Sequence, residues 1–166
     1  MKTKVAIIGM GFVGGAIHSS FLNNKDVELL AIDPAKGWMA SYLDIIDFDA
    51  VFVCVPSPQR EDGSCDTSIL VEVLTQLEIV NFKGVIISKV TAIPSVYTGL
   101  QSTYPNLVHA PEFLTAANAV ADYANGSFAI IGGATSAYRN EAERVVRMSQ
   151  PNLTSVVHCS ISEASF

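Results

Sequence analysis

The chain has 166 residues, 49% of them apolar and 16% charged, with a formal net charge of −6 at pH 7. That length suits one domain with a sizeable core, and the apolar content excludes a disordered chain. The acidic balance excludes a broad nucleic-acid surface, since no run of Lys and Arg is available to neutralise phosphates.

The pattern predicts a first strand at Lys4–Gly9 and a helix near Phe12–Leu22. A secretory signal also opens with a short basic stretch and an uncharged run. Here the run Val5–Ile17 carries Gly9, Gly11, Gly14 and Gly15, which disfavours a signal helix. Strand Val27–Ile32 and helix Gly37–Leu43 follow, then strand Ala50–Val55 and helix Thr67–Leu77, with Asp66 as its N-cap. Strand Gly84–Ser88 leads to helix Ser95–Gln101, whose first turn accommodates Pro94. Strand Leu107–His109 precedes helix Glu112–Ala121, opened by Pro111. Strand Phe128–Ile131, helix Ser136–Ser149 and strand Ser155–His158 complete the series.

Most of these strands are short and rich in Val and Ile without strict alternation, as strands buried on both faces are. A mean hydropathy of +0.36 agrees with that reading. The order predicts an α/β fold: a doubly wound, Rossmann-type, mostly parallel sheet with helices on both faces and right-handed crossovers, in a single domain over 1–159. Ser160-Ile-Ser-Glu163 has the form of a capping box, so 160–166 reads as the start of a truncated connecting helix. No apolar run is long enough to span a membrane. Cys54, Cys65 and Cys159 are odd in number and lack metal-ligand spacing, which predicts a reducing, cytoplasmic setting with no disulfide framework and no metal.

Gly9-Met-Gly11-Phe-Val-Gly14 follows the strand Val5–Ile8 and opens an apolar helix, the context in which G-x-G-x-x-G binds a dinucleotide. Gly9 permits the tight turn, Gly11 lets backbone approach a pyrophosphate at Phe12 and Val13, and Gly14 lets helix pack on strand. The helix N-terminus presents free N–H groups and a positive dipole end to the anion. Asp33 ends the second strand 19 residues beyond Gly14, where a carboxylate accepts from ribose hydroxyls and repels a 2′-phosphate. NAD is therefore favoured over NADP, with Lys36 a complication three residues on.

Ligands of open parallel sheets lie beyond the carboxyl ends of the strands. That rule brings Val55, Pro56 and Ser57 to the cofactor from the third major strand. It brings Ser88, Lys89 and Thr91 from the fourth. Lys89 is a candidate to hold an anionic group or assist proton transfer, against the alternative of a solvated strand-end lysine. Glu112 is a candidate base or water-orienting acid, against the alternative of favourable charge in a first helical turn. His109 reads as structural, Cys54 as a packed, inert thiol, and no cysteine reads as a nucleophile.

Several of these segments resemble one family. Val5-Ala-Ile-Ile-Gly9-Met-Gly11-Phe-Val-Gly14, Val55-Pro-Ser-Pro58, Asp66, Val85-Ile-Ile-Ser88, Pro111-Glu-Phe-Leu114 with Asn118-Ala-Val120, and Ile130-Ile-Gly-Gly133 are similar to the N-terminal NAD-binding domain of the UDP-glucose/GDP-mannose dehydrogenases. The resemblance implies oxidation of a nucleotide sugar's 6-hydroxymethyl group to a carboxylate, with two NAD reduced, for polysaccharide precursors. It further implies that the nucleophilic cysteine and most of the nucleotide-sugar site lie in a central domain this sequence lacks. The chain alone would then bind NAD without turnover, with no nucleic-acid or membrane partner and room for a homo-oligomer. Other NAD-linked hydroxyacid dehydrogenases and a non-catalytic NAD-binding module remain alternatives. Two departures stand out: Lys89 takes the place of the family's Thr in Ser-Thr-Val unless Thr91 fills it, and Ala116 takes the place of a second Glu. They suggest a divergent member with an altered substrate or a slower second step.

Overall fold

The computed structural model describes residues 1–166. Eight strands form one sheet: β1 (Thr3–Ile8), β2 (Val27–Asp33), β3 (Trp38–Met39), β4 (Ala50–Val53), β5 (Val85–Ser88), β6 (Leu107–His109), β7 (Phe128–Gly133) and β8 (Ser155–Cys159), in the spatial order β3-β2-β1-β4-β5-β6-β7-β8. Six helices connect them: α1 (Phe12–Phe21), α2 (Ser68–Ile79), α3 (Pro94–Thr103), α4 (Ala119–Asn125), α5 (Ser136–Ser149) and α6 (Ile161–Ala164). The ladder is parallel except at β2–β3 and β6–β7. The doubly wound architecture is therefore as expected, and the strand order reverses between β1 and β4.

The period of two in the strands sorts side chains between two cores. Val5 and Ile7 of β1, Phe52 of β4 and Ile87 of β5 face a cluster completed by Ile17 and Phe21 of α1 and by Val145 and Val146 of α5. Ala6 and Ile8, Val51 and Val53, and Ile86 face the other cluster, closed by α2 and Tyr97 of α3. On α2, Leu70, Leu74 and Leu77 recur at helical spacing and are at most 1% exposed. Burial of each contributes roughly 1.5–3 kcal/mol. The sheet is apolar on both sides because helices cover both.

Two expected helices are not there. In place of Gly37–Leu43, a 3₁₀ turn at Pro34–Lys36 ends on Gly37, whose φ of +81° halts the helical path. Trp38 and Met39 then pair antiparallel with β2, and a second 3₁₀ turn, Tyr42–Ile45, starts from a capping box between Ser41 and Asp44. In place of Glu112–Ala121, helix begins only at Ala119. The Asp122 carboxylate accepts from the Thr115 backbone N–H at 2.9 Å and its hydroxyl at 2.7 Å, which fixes the preceding segment as an extended strap and a 3₁₀ turn. Pro111 thus opens no helix. Smaller differences are physical too: β4 stops at Val53, which leaves Cys54 beyond the strand end, and α2 has Thr67 at its N-cap position. Asp66 still serves that helix, accepting the Ser68 N–H at 3.0 Å. The Ser160–Glu163 capping box forms, and Ile161 of α6 joins the second core at 2% exposure.

Candidate functional site

A cleft of about 860 Å³ opens at the carboxyl ends of β1, β2, β4 and β5, where the strand order reverses. Its walls include Gly9, Gly11, Phe12, Val13, Asp33, Val55, Pro56, Ser57, Lys89 and Glu112. The structure thus brings these ten sequence-predicted residues to one opening.

The three motif glycines stand in different positions relative to it. Gly9 has φ +91°, and a Cβ there would lie 2.7 Å from the Cys54 carbonyl oxygen. Gly14 is behind the cleft, where a Cβ would collide with the Gly9 carbonyl oxygen. Gly11 is free on its open side, a Cβ meeting nothing within 4 Å. It is also the N-cap of α1, where no side chain caps the first N–H groups and no acid occupies the first turn. Those unpartnered donors and the dipole end suit a diphosphate.

The ribose end is built by β2. Asp33 Oδ2 accepts the Met10 N–H at 2.8 Å, so the carboxylate that steadies the glycine loop keeps Oδ1 for an incoming hydroxyl. Lys36 donates its ammonium to the Met10 carbonyl at 2.7 Å. Both ends of the loop residue Met10 are therefore held by side chains, one from the end of β2 and one from the 3₁₀ turn that follows it. Tyr42, Ile69, Glu72 and Val73 line this end as well, and sequence reasoning missed them. The available signal was the apolar pair Ile69 and Val73, four apart on one face of α2 just after the Asp66 turn.

Lys89 and Glu112 meet at the other end. Lys89 is 7% exposed, its Nζ lies 5.9 Å from the centre of the Tyr123 ring, and no carboxylate comes within 4.0 Å of it. It is not the solvated strand-end lysine that composition favours. Burial pushes the ammonium down from the ordinary lysine range, and the charges of Glu112 and Cys54 oppose that shift only in part. Glu112 Oε2 is buried without a hydrogen-bond partner, and burial raises its carboxyl, with Lys89 acting the other way. Burial pushes the Cys54 thiol up to about 12, so it stays protonated and inert.

Ser88 is not brought to the cleft. It is wholly buried, and its hydroxyl is joined to the Tyr97 hydroxyl at 2.7 Å, which in turn donates to the Val90 carbonyl. The reason is parity: the last residue of β5 turns its side chain into the second core, and the next residue, Lys89, takes the cleft side. Ala116 also lies outside the cleft, on the 3₁₀ turn facing the groove between α1 and α4.

His109 stacks on Tyr97 with ring centres 4.1 Å apart, and its Nδ1–H donates to the Ser88 carbonyl at 3.2 Å. Burial pushes its pKa down from 6.5 to about 4, the Ser88 bond opposing and Lys89 adding to the fall. Because the folded value lies below the unfolded one, this group's contribution is complete above 6.5 and is lost as pH falls towards about 4. Between pH 7 and pH 5 it accounts for a loss of about 2 kcal/mol. His109→Asn keeps a donor to Ser88 and removes the titration. Urea midpoints at the two pH values are expected to show a correspondingly smaller acid loss in the variant, and an unchanged loss would contradict this assignment.

Comparison with known proteins adds four observations. Residues 38–150 match the model of the UDP-glucose/GDP-mannose dehydrogenase family, NAD binding domain. The chain is 33% identical to the Bacillus subtilis (strain 168) protein YtcA, provisionally named a UDP-glucose 6-dehydrogenase, over 78% of this chain and 39% of that protein. It also superposes on an NDP-N-acetyl-D-galactosaminuronic acid dehydrogenase from Methanosarcina mazei Go1 (TM-score 0.80, 16% identity, 99% of this chain and 45% of that one). A GDP-mannose dehydrogenase from Pseudomonas aeruginosa gives a TM-score of 0.77 at 17% identity, over 97% of this chain and 47% of that one. The chain spans less than half the length of each of these proteins.

Proposed function

We propose, from the premise that the chain belongs to the UDP-glucose/GDP-mannose dehydrogenase family, that its cleft serves oxidation of a nucleotide sugar's 6-hydroxymethyl group towards a carboxylate. The observation that carries this reading is the continuity of one cleft from Asp33, past the free N-terminus of α1, to the buried Lys89 and Glu112. NAD, when bound there, supplies the hydride acceptor. The N–H groups of Phe12 and Val13 hold its diphosphate beside Gly11, and Asp33 accepts from the adenosine ribose. Val55, Pro56 and Ser57 flank the cofactor midway.

At the far end Lys89 Nζ takes the proton of the sugar hydroxyl as the hydride leaves. Burial lowers this amine's basicity below that of an exposed lysine, the direction that general-base work requires. The Glu112 carboxyl relays that proton, one oxygen accepting from the Lys89 ammonium as the other gives up a proton towards the cleft mouth. None of Cys54, Cys65 and Cys159 serves as the acyl-carrying nucleophile; that part, with most of the sugar contacts, belongs to the remainder of a longer enzyme. Titration calorimetry is expected to show NAD binding to this chain, while incubation with UDP-glucose or GDP-mannose and NAD yields no uronate. No heat with millimolar NAD on a folded sample would end the reading.

A further inference from the structure

Lys89 has more cavity around it than its part in proton transfer requires. The cleft, a neighbouring cavity of about 250 Å³ and a smaller one of about 70 Å³ all have Lys89 and Glu112 in their walls. The side chain is reached only through these spaces, since 7% of the residue is exposed. No carboxylate stands within 4.0 Å of Nζ, and Glu112, which lines the same three spaces, has Oε2 buried without a partner. A buried amine and a buried acid that do not satisfy each other leave a gap for a group able to accept from one and bond to the other.

We infer that Lys89 is a covalent carbonyl site: its amine condenses with an aldehyde seated between it and Glu112, forming an imine and releasing water. The lone pair of Nζ forms a bond to the carbonyl carbon, and the carbonyl π electrons move to oxygen, which takes the Glu112 proton. The nitrogen of this adduct then loses a proton to Glu112. The C–O bond breaks as Glu112 returns that proton, and water leaves. The nitrogen lone pair closes the C=N bond, and loss of the remaining N–H proton restores protonated Glu112. No oxidant or reductant is involved. Burial works in favour of both partners, because it disfavours the ammonium and the carboxylate together, the direction that a nucleophilic amine and a proton-donating acid both need. The inference rests on the proposed alcohol oxidation only for the natural source of the aldehyde, which the imine would keep from leaving the cleft.

The test needs no NAD and so fails independently of that reading. The full chain is incubated at pH 7 with glycolaldehyde and cyanoborohydride, which reduces an imine to a stable secondary amine. Modification is then mapped by peptide mass. The expected result is a gain of the probe mass less one oxygen at Lys89, at a rate exceeding that of exposed Lys2, Lys25 and Lys83. Each unit by which the amine lies below the ordinary lysine range raises its reactive fraction about tenfold. Glu112→Gln, which keeps the amine and removes the acid, is expected to slow Lys89 labelling with the surface rates unchanged. Labelling of Lys89 no faster than of the surface lysines would overturn the proposal, as would a Glu112→Gln rate equal to that of the unaltered chain. Both readings come from peptides of a chain whose far-ultraviolet circular dichroism shows it folded.

Discussion

Gly14→Ala is expected to lower the melting temperature by roughly 6–12 °C, and Gly11→Ala to leave it in place while weakening NAD binding about 30–100-fold. The two substitutions add the same methyl group to the same motif, so their difference isolates geometry. At Gly14 the methyl collides with the Gly9 carbonyl oxygen, a backbone atom between β1 and α1 that has no rotamer to escape into. Overpacking of this kind costs about 3 kcal/mol. At Gly11 the backbone is extended (φ −71°, ψ −161°), which any residue adopts, and the methyl meets no protein atom. It projects instead into the open cleft, where the proposed binding mode brings the diphosphate to the first N–H groups of α1. Thermal melts and calorimetric titrations of the two variants check this. Equal destabilisation, or undiminished NAD affinity in Gly11→Ala, would show that the cleft does not hold the diphosphate as described.

What could be read from the sequence was what depends on pattern. The strands are legible because Val5–Ile8, Val51–Val53 and Val85–Ile87 must be apolar on both faces, and the helix Ser136–Ser149 because charged and apolar residues alternate at helical spacing. The glycine motif is legible because each of its positions answers to a separate steric demand. The failures fall where a few local contacts outweigh pattern. Nothing in the composition of Gly37–Leu43 separates a helix from two 3₁₀ turns around a two-residue strand; the left-handed backbone of Gly37 decides it. The helix expected from Glu112 is prevented by Asp122, seven residues downstream of Thr115 and far outside capping distance in sequence.

Side-chain parity at strand ends is a subtler failure. Strand-end topology brings both Ser88 and Lys89 to the site, but neighbouring residues point to opposite faces. Tyr97 claims Ser88 for the second core. The same alternation carries Lys89 into the interior beside Tyr123 and Glu112, a placement that the general exposure of lysines argues against. This is where an expectation based on residue type fails and the chemistry begins. A lysine buried without a counter-ion costs stability, and such local conflicts gather at functional sites.

Asp33→Asn is expected to narrow the preference for NAD over NADP about a hundredfold without changing stability. The amide retains an oxygen able to accept the Met10 N–H, now met at 2.8 Å, so the glycine loop keeps its shape. What is lost is charge. A ribose hydroxyl donating to a neutral amide rather than a carboxylate forfeits about 1 kcal/mol, near tenfold in NAD affinity. A 2′-phosphate placed beside Asp33 suffers Coulomb repulsion of about 1–3 kcal/mol at surface-like dielectric, and removing the charge returns about tenfold or more in NADP affinity. Lys36, whose ammonium rests on the Met10 carbonyl at 2.7 Å, gives the phosphate a cation on the same loop residue. Asp33→Ala separates the two effects, since it also releases the Met10 N–H and is expected to weaken both cofactors. Dissociation constants for NAD and NADP across the three proteins decide the matter. An unmoved ratio in Asp33→Asn would mean that the ribose lies elsewhere and that Asp33 serves only to fasten the loop.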